Sequence, residues 1–202
     1  MKKSVVYGLF AVSFLCIMGS LIAINFISPK EGNKVLGISK GILDYKYQLP
    51  VLKTNDTIIR PYYESEISPE LKFYDINAEE ETQQKSLIYY EGTYIQSTGV
   101  AYTKSIPFDV IAVLDGTVKE VRSDEILGNI VVIEHQNGYV STYQGVDDIK
   151  ISEGSPIVQG QVIAKSSTSN IFKDLGNHLY FELSKNGEYV NPEEYYNKSI
   201  NE

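Results

Sequence analysis

Phe108-Asp109-Val110-Ile111-Ala112-Val113-Leu114-Asp115-Gly116-Thr117-Val118-Lys119-Glu120-Val121 and Ile130-Val131-Val132-Ile133-Glu134-His135-Gln136-Asn137-Gly138-Tyr139-Val140-Ser141-Thr142-Tyr143 decide the fold. Each is a pair of short β-branched or aromatic runs set around an Asp-Gly or Asn-Gly dipeptide. Two-residue hairpin turns need positive φ, which Asn, Asp and Gly adopt most readily. The same grammar recurs at Leu179–Leu183, Asn186-Gly187 and Tyr189-Val190, and around Gly160 between Ile157-Val158 and Gln161–Ala164. Leu87-Ile88-Tyr89-Tyr90 opens the series. Asn191-Pro192-Glu193-Glu194 then reads as a helix start, with Asn191 as cap and Pro192 in the first helical position. Short strands, tight turns and no long helical period predict an all-β domain of compact antiparallel type over residues 86–196, with a short tail at 197–202.

Upstream the pattern changes. Residues 28–85 read as a stalk or linker, punctuated by Pro29, Gly32, Gly37, Gly41, Pro50, Pro61 and Pro69. Within it, Asn77-Ala78-Glu79-Glu80-Glu81 is expected to start a short helix on a solvated acidic surface. Val5–Ile27 is almost purely apolar. At about 1.5 Å per residue it reaches about 34 Å, enough to cross a bilayer core. A cleaved signal peptide is the rival reading, but its apolar core is shorter and ends at a small-residue site. Leu15 before Cys16 argues against a lipoprotein site. Lys2 and Lys3 favour a cytoplasmic tail at residues 1–4, an anchor at 5–27 and the bulk of the chain outside, although Lys30, Lys34 and Lys40 weaken the charge bias.

The net charge of −8 excludes an ordinary nucleic-acid binder, which needs a basic face to meet phosphates. With only Cys16, neither an internal disulfide nor a thiolate metal cluster can form. Two histidines, His135 and His178, are too few for a three-histidine metal site. The chain also lacks a Gly-x-Ser-x-Gly elbow and a Walker-type phosphate loop. Asp147-Asp148 reads as a solvated turn, and the Asn55-Asp56-Thr57 sequon carries little weight.

Three separated stretches carry chemistry: Leu114-Asp115-Gly116-Thr117-Val118, Gly154–Ile163, and Gly176-Asn177-His178-Leu179-Tyr180-Phe181-Glu182-Leu183. In this order they resemble the LytM-type (M23) zinc endopeptidases of bacterial cell walls, over about residues 86–193. The resemblance implies a compact antiparallel β-domain with a groove. In that family an H-x-x-x-D motif and the second His of an H-x-H motif hold zinc, leaving one position for an acidified water. Here those three ligand positions fall on Ser97, Ala101 and Tyr180. The first His of H-x-H is retained as His178, and the family's other auxiliary His falls on Gly145. The resemblance therefore implies no catalytic residues, no metal and no cofactor. Tyr143, His178 and Tyr180 are the candidate partner-groove residues, and His135, at a hairpin end, is expected to be structural or at the surface.

Leu87–Val100, Lys173–His178 and Val190–Tyr196, together with the anchor, further resemble the stage II sporulation protein Q family of endospore-forming Firmicutes. That likeness implies a single-pass forespore protein whose LytM-like domain lies in the intermembrane space. There it docks with a mother-cell membrane protein, stage III sporulation protein AH, supporting engulfment and an intercompartment channel; a higher-order ring fits the same picture. The alternative function is a degenerate LytM regulator that activates a separate cell-wall hydrolase. The absence of a heptad run in residues 28–86 weighs mildly against it.

Overall fold

The computed structural model describes residues 56–201. The expected anchor, the tail before it and residues 28–55 of the expected stalk lie outside the described residues. In chain order the described elements begin with β1 (Ser68–Leu71), α1 (Glu80–Gln84), β2 (Leu87–Tyr90), β3 (Thr93–Gln96), β4 (Val100–Thr103) and β5 (Asp109–Ile111). They continue with β6 (Gly116–Asp124), β7 (Gly128–His135), β8 (Tyr139–Asp147), β9 (Pro156–Ile157), β10 (Val162–Ser166), β11 (His178–Lys185), β12 (Glu188–Val190) and α2 (Pro192–Tyr195).

Strand β11 organises the molecule. Its side chains alternate with the two-residue period of a strand. Leu179, Phe181 and Leu183 fall on one face, His178, Tyr180 and Glu182 on the other, and all six are buried. One flank of β11 pairs antiparallel with β4 and then β12, the other with β8. The sheet runs β1-β4-β11-β8-β7-β6-β9, with β10 joined to β5 and β8. β2 and β3 stand apart as a two-stranded hairpin.

The odd-numbered face of β11 meets the main core. Val100, Tyr102, Val131, Ile133, Tyr139, Tyr143, Leu179, Phe181 and Leu183 pack there with Phe108, Val110 and Ile163. Burying each such side chain stabilises the fold by about 1.5–3 kcal/mol before entropy is charged. Ile58, Tyr62 and Ile67 belong to the same core, although residues 28–85 read as stalk. Ile58 donates its amide to the Lys198 carbonyl and accepts from Asn197, while Ile200 donates to Asp56, so the entering chain is laced to the C-terminal segment. Arg60 extends the lacing with a two-pronged ion pair to Glu193 at 2.8 and 2.7 Å. The packed body thus begins well before Ser86. Ile58→Ala is expected to cost about 2–4 kcal/mol in denaturant unfolding, the usual loss at a filled core site. A stalk residue would give a change near zero.

Turn chemistry accounts for two of the hairpin connections. Asn137 and Gly138 join β7 to β8, and Asn186 and Gly187 join β11 to β12, all with positive φ. Asn191 caps α2 as expected: its Oδ1 accepts from the Glu193 amide at 3.2 Å, with Pro192 opening the helix. The Asp115-Gly116 expectation is corrected. β5 pairs with β10 and β6 pairs with β7, so this dipeptide closes no hairpin. Gly116 is required for close approach instead, since a Cβ there would lie 2.4 Å from the Glu134 carbonyl oxygen.

Candidate functional site

Register brings four of the family positions together. Ala101 on β4 is paired with Tyr180 on β11, and Tyr180 in turn with Gln144 on β8. Gly145 follows Gln144 and lies against His178, where a Cβ on Gly145 would be 2.8 Å from the imidazole Nε2. Ser97, just before β4, completes the set. Its hydroxyl donates to the Gly99 carbonyl at 2.9 Å and lies 3.2 Å from the Tyr180 hydroxyl. Ser97, Ala101, Gly145, His178 and Tyr180 therefore converge on the even-numbered face of β11, opposite the main core.

That face is covered by a second, smaller core. Leu71, Ile88, Ala101, Phe172 and Tyr180 pack together, with Ile171 and Leu175 against them. The Phe172 ring lies 4.9 Å from Tyr180 and 5.4 Å edge-on to His178 between centroids. Ile88 comes from the β2–β3 hairpin, and Ile171, Phe172 and Leu175 from the loop before β11, so hairpin and loop close over the strands. The sequence reading missed these loop residues. Their only signal was an Ile-Phe pair set in an otherwise polar Ser167–Asp174 stretch.

Polar groups inside this region are satisfied. Glu182 is buried, and its carboxylate accepts from Thr98 at 2.5 Å and from the Gln144 amide at 2.9 Å. Burial raises its pKa above the usual carboxylate value, against these two hydrogen bonds. Burial also raises the Tyr180 phenol. The His178 tautomer follows from its partners: Nδ1 faces the Gly176 carbonyl at 2.8 Å, which only accepts, so Nδ1 carries the proton. Nε2 then accepts from the Ser169 hydroxyl at 3.0 Å. Among the described residues no three His, Cys, Asp or Glu side chains gather as a metal-holding group.

The three expected partner-groove residues, Tyr143, His178 and Tyr180, are all buried in the described structure. His178 is enclosed and Tyr180 is only 3% exposed. Tyr143 points the other way, because its partner in the ladder is Phe181, on the main-core face, with ring centroids 5.2 Å apart. Its hydroxyl accepts from the Val113 amide at 3.1 Å and contacts Ser141 at 3.2 Å. Ser141 continues to His135 Nε2 at 2.7 Å, and His135 Nδ1 donates to the Asp115 carbonyl at 2.9 Å. His135 thus ends a largely buried polar chain that ties β8 to the start of β6.

Burial holds His178 and His135 below the ordinary histidine value of 6.5. A depressed base contributes stability that is present above its unfolded value and lost as pH falls through the folded one. Stability dependent on these residues is therefore expected to decline as pH drops below 6.5. Glu182 acts with the opposite sign: its raised carboxyl gives a contribution present below 4.5 and lost as pH rises through the folded value. Comparing His178→Asn with the parent chain isolates the imidazole. The variant is expected to lose less stability than the parent between about pH 6.5 and 5, and parallel profiles would contradict the assignment.

Comparison with known proteins fits this geometry. Residues 96–192 match peptidase family M23. Stage II sporulation protein Q of Bacillus subtilis (strain 168) is 31% identical over 98% of this chain and 72% of its own length. The solved SpoIIQ–SpoIIIAH pore-forming complex contains a chain 34% identical, with a TM-score of 0.70, matched over 72% of this chain and 94% of that one. A crystal structure of the SpoIIIAH and SpoIIQ complex gives 35% identity and a TM-score of 0.66 over 68% of this chain and 99% of that one. An antiparallel M23-type domain and a relationship running nearly end to end lead to one assignment: the chain belongs to the stage II sporulation protein Q family.

Proposed function

We propose that this protein is a membrane-anchored, catalytically inactive LytM-like scaffold of endospore formation. On this reading it docks with a mother-cell membrane protein of the stage III sporulation protein AH type across the intermembrane space. The pair then supports engulfment and an intercompartment channel. The observation that carries the reading is the near full-length kinship with a protein solved in complex with SpoIIIAH. The anchor at residues 5–27 would hold the domain in the narrow gap, raising the effective concentration of the two partners.

The donor set supports the inactive half of the proposal. Zinc binds thiolate, imidazole or carboxylate groups. At the aligned positions this chain offers the methyl of Ala101, the Ser97 hydroxyl, already donated to Gly99, and the Tyr180 phenol, raised by burial. These residues do not fit the ion. Phe172 and Ile88 fill the space beside them with apolar atoms.

The test is capture by the full chain in detergent, with solubilised membranes of sporulating and vegetative cells as prey. A sporulation-specific membrane partner of the AH type is expected. Recovery of a cell-wall amidase in both growth states would overturn the proposal and establish the regulator reading.

A further inference from the structure

Two cavities adjoin along the loop before β11. The larger, about 470 Å³, lies between β2 and that loop, with Tyr89, Tyr90, Glu91, Asn170, Lys173 and Asp174 on its walls. The second, about 380 Å³, shares Asn170 and Lys173 and adds Glu125, Thr168 and Ser169. Together they form a trough. Its loop wall is held by the β6–β7 turn: Asn170 donates its side-chain amide to the Glu125 carbonyl at 2.6 Å, and the Ile171 amide donates to the Ile126 carbonyl at 3.1 Å. Phe172 is locked into the second core beneath. The walls are therefore set before a ligand arrives, which keeps the ordering cost of binding small. Ser97, Ala101, Gly145, His178 and Tyr180 line neither cavity, so the trough is separate from the closed zinc position.

The polar groups on these walls are uncommitted. Among the described residues the Tyr89 and Tyr90 hydroxyls, the Glu91 and Asp174 carboxylates and the Lys173 ammonium meet no hydrogen-bond or ion-pair partner. Tyr89 is 61% exposed and adds an aromatic face, braced by the Tyr94 ring with centroids 5.0 Å apart. The strand backbone supplies one more donor and acceptor. The turn is Glu91-Gly92, both with positive φ, so Tyr90 and Thr93 form the closing hydrogen-bonded pair. Antiparallel pairs alternate. The amide and carbonyl of Tyr89 therefore point away from β3, and among the described residues they have no backbone partner. No residue of β3 lines the larger cavity, which borders this outer edge of β2.

We infer that this trough binds an uncharged saccharide built from 2-acetamido sugars. A pyranose ring presents an apolar face to an aromatic side chain and a rim of hydroxyls to carboxylates and amides, the mixture that these walls supply. The acetamido group carries one N–H and one C=O, and the outward carbonyl and amide of Tyr89 match that pair. A peptide strand fits less well. Strand addition needs alternate backbone pairs along an edge, whereas Tyr89 is the one lining residue of β2 whose pair turns toward the trough. Glu91, Asp174 and Glu125 outnumber Lys173 on the walls, which disfavours an anionic sugar. Two adjoining cavities give room for more than one ring.

The experiment titrates the full chain, in micelles of a detergent without a sugar head group, with a β-1,4-linked N-acetylglucosamine tetramer. Saturable binding is expected, with slowed hydrogen exchange at the Tyr89 amide and none at the Tyr94 amide on the far edge. Cellotetraose carries hydroxyls in place of the acetamido groups and is expected to bind about tenfold or more weakly, two hydrogen bonds being lost. Tyr89→Ala is expected to weaken tetramer binding by about fivefold or more. Tyr189→Ala, at an exposed tyrosine on β12, should bind as the parent does, with thermal unfolding as the folding control for both. A cell-wall glycan fragment freed of peptide, whose lactyl groups are carboxylates, is expected to bind more weakly than the tetramer, and tighter binding overturns the assignment to an uncharged ligand. Equal affinity for cellotetraose, or parent-like binding by folded Tyr89→Ala, overturns the site. Protection of the Tyr89 amide by an acetylated, amidated tetra-alanine, with none from the tetramer, makes the edge a peptide site and overturns the inference.

Discussion

Tyr180→Ala is expected to lower the unfolding free energy by about 3–5 kcal/mol, as aromatic-to-alanine changes do at filled sites. In a domain of this size that shifts the thermal midpoint by about 6–20 °C. Two losses combine. The ring is buried against Phe172, Leu71, Ile88 and Ala101, and the surrounding strands are too constrained to collapse into the hole. Its hydroxyl also meets Ser97 and Thr98 at 3.2 and 3.4 Å, and both would lose that contact. An M23 peptidase keeps a metal ligand at this position as part of its chemistry, whereas here the side chain is a structural member of a second core. A Tyr180→Ala protein with parent-like unfolding would show that the second core carries no weight. Tyr180→Phe separates the two losses: it keeps the ring and is expected to cost only about 1 kcal/mol, the net value of a hydrogen bond.

Gly145→His restores the residue that the M23 resemblance expects, and it is expected to damage the fold by about 3 kcal/mol or more. Gly145 has φ +70°, a left-handed conformation that side chains with a Cβ resist. A Cβ there would also meet the His178 ring at 2.8 Å. Neither group can easily yield. The Gly145 amide donates to the Leu127 carbonyl at 3.1 Å and its carbonyl accepts from Ser167 at 2.8 Å, while His178 is fixed at both ring nitrogens. Gly145→Ala carries the same backbone strain with less bulk and is expected to fall between the parent and the histidine variant. Equal stability of all three proteins in urea unfolding would refute the packing argument.

The two positions also explain what was legible in the sequence. Asn137-Gly138, Asn186-Gly187 and the Asn191-Pro192 cap were readable because their conformations are local properties of those residues. Asp115-Gly116 looked the same, but its glycine answers to a neighbouring strand, and spacing along one chain does not report that. β3 escaped notice because all its residues are exposed, so no apolar alternation marks it. Residues 58–71 escaped because Pro61 and Pro69 interrupt the apolar pattern that carries Ile58, Tyr62, Ile67 and Leu71 inward.

The site was legible as a set of positions and not as an arrangement. The resemblance placed Ser97, Ala101, Gly145, His178 and Tyr180, and the registers of β4, β8 and β11 gather them. In the sequence Tyr143 stands two residues before Gly145, the family's auxiliary-histidine position, and Tyr180 stands at a ligand position. Strand parity separates them, since Tyr143 shares a face with Phe181, and Tyr180 shares one with Glu182.

Metal-independent docking is tested by a calorimetric titration of the full chain in detergent with the soluble AH-type domain, run once with a metal chelator and once with added zinc. Saturable binding of equal affinity is expected in both, with no cleavage of cell-wall peptides in either. Absence of binding, or binding and cleavage that appear only with zinc, would contradict it.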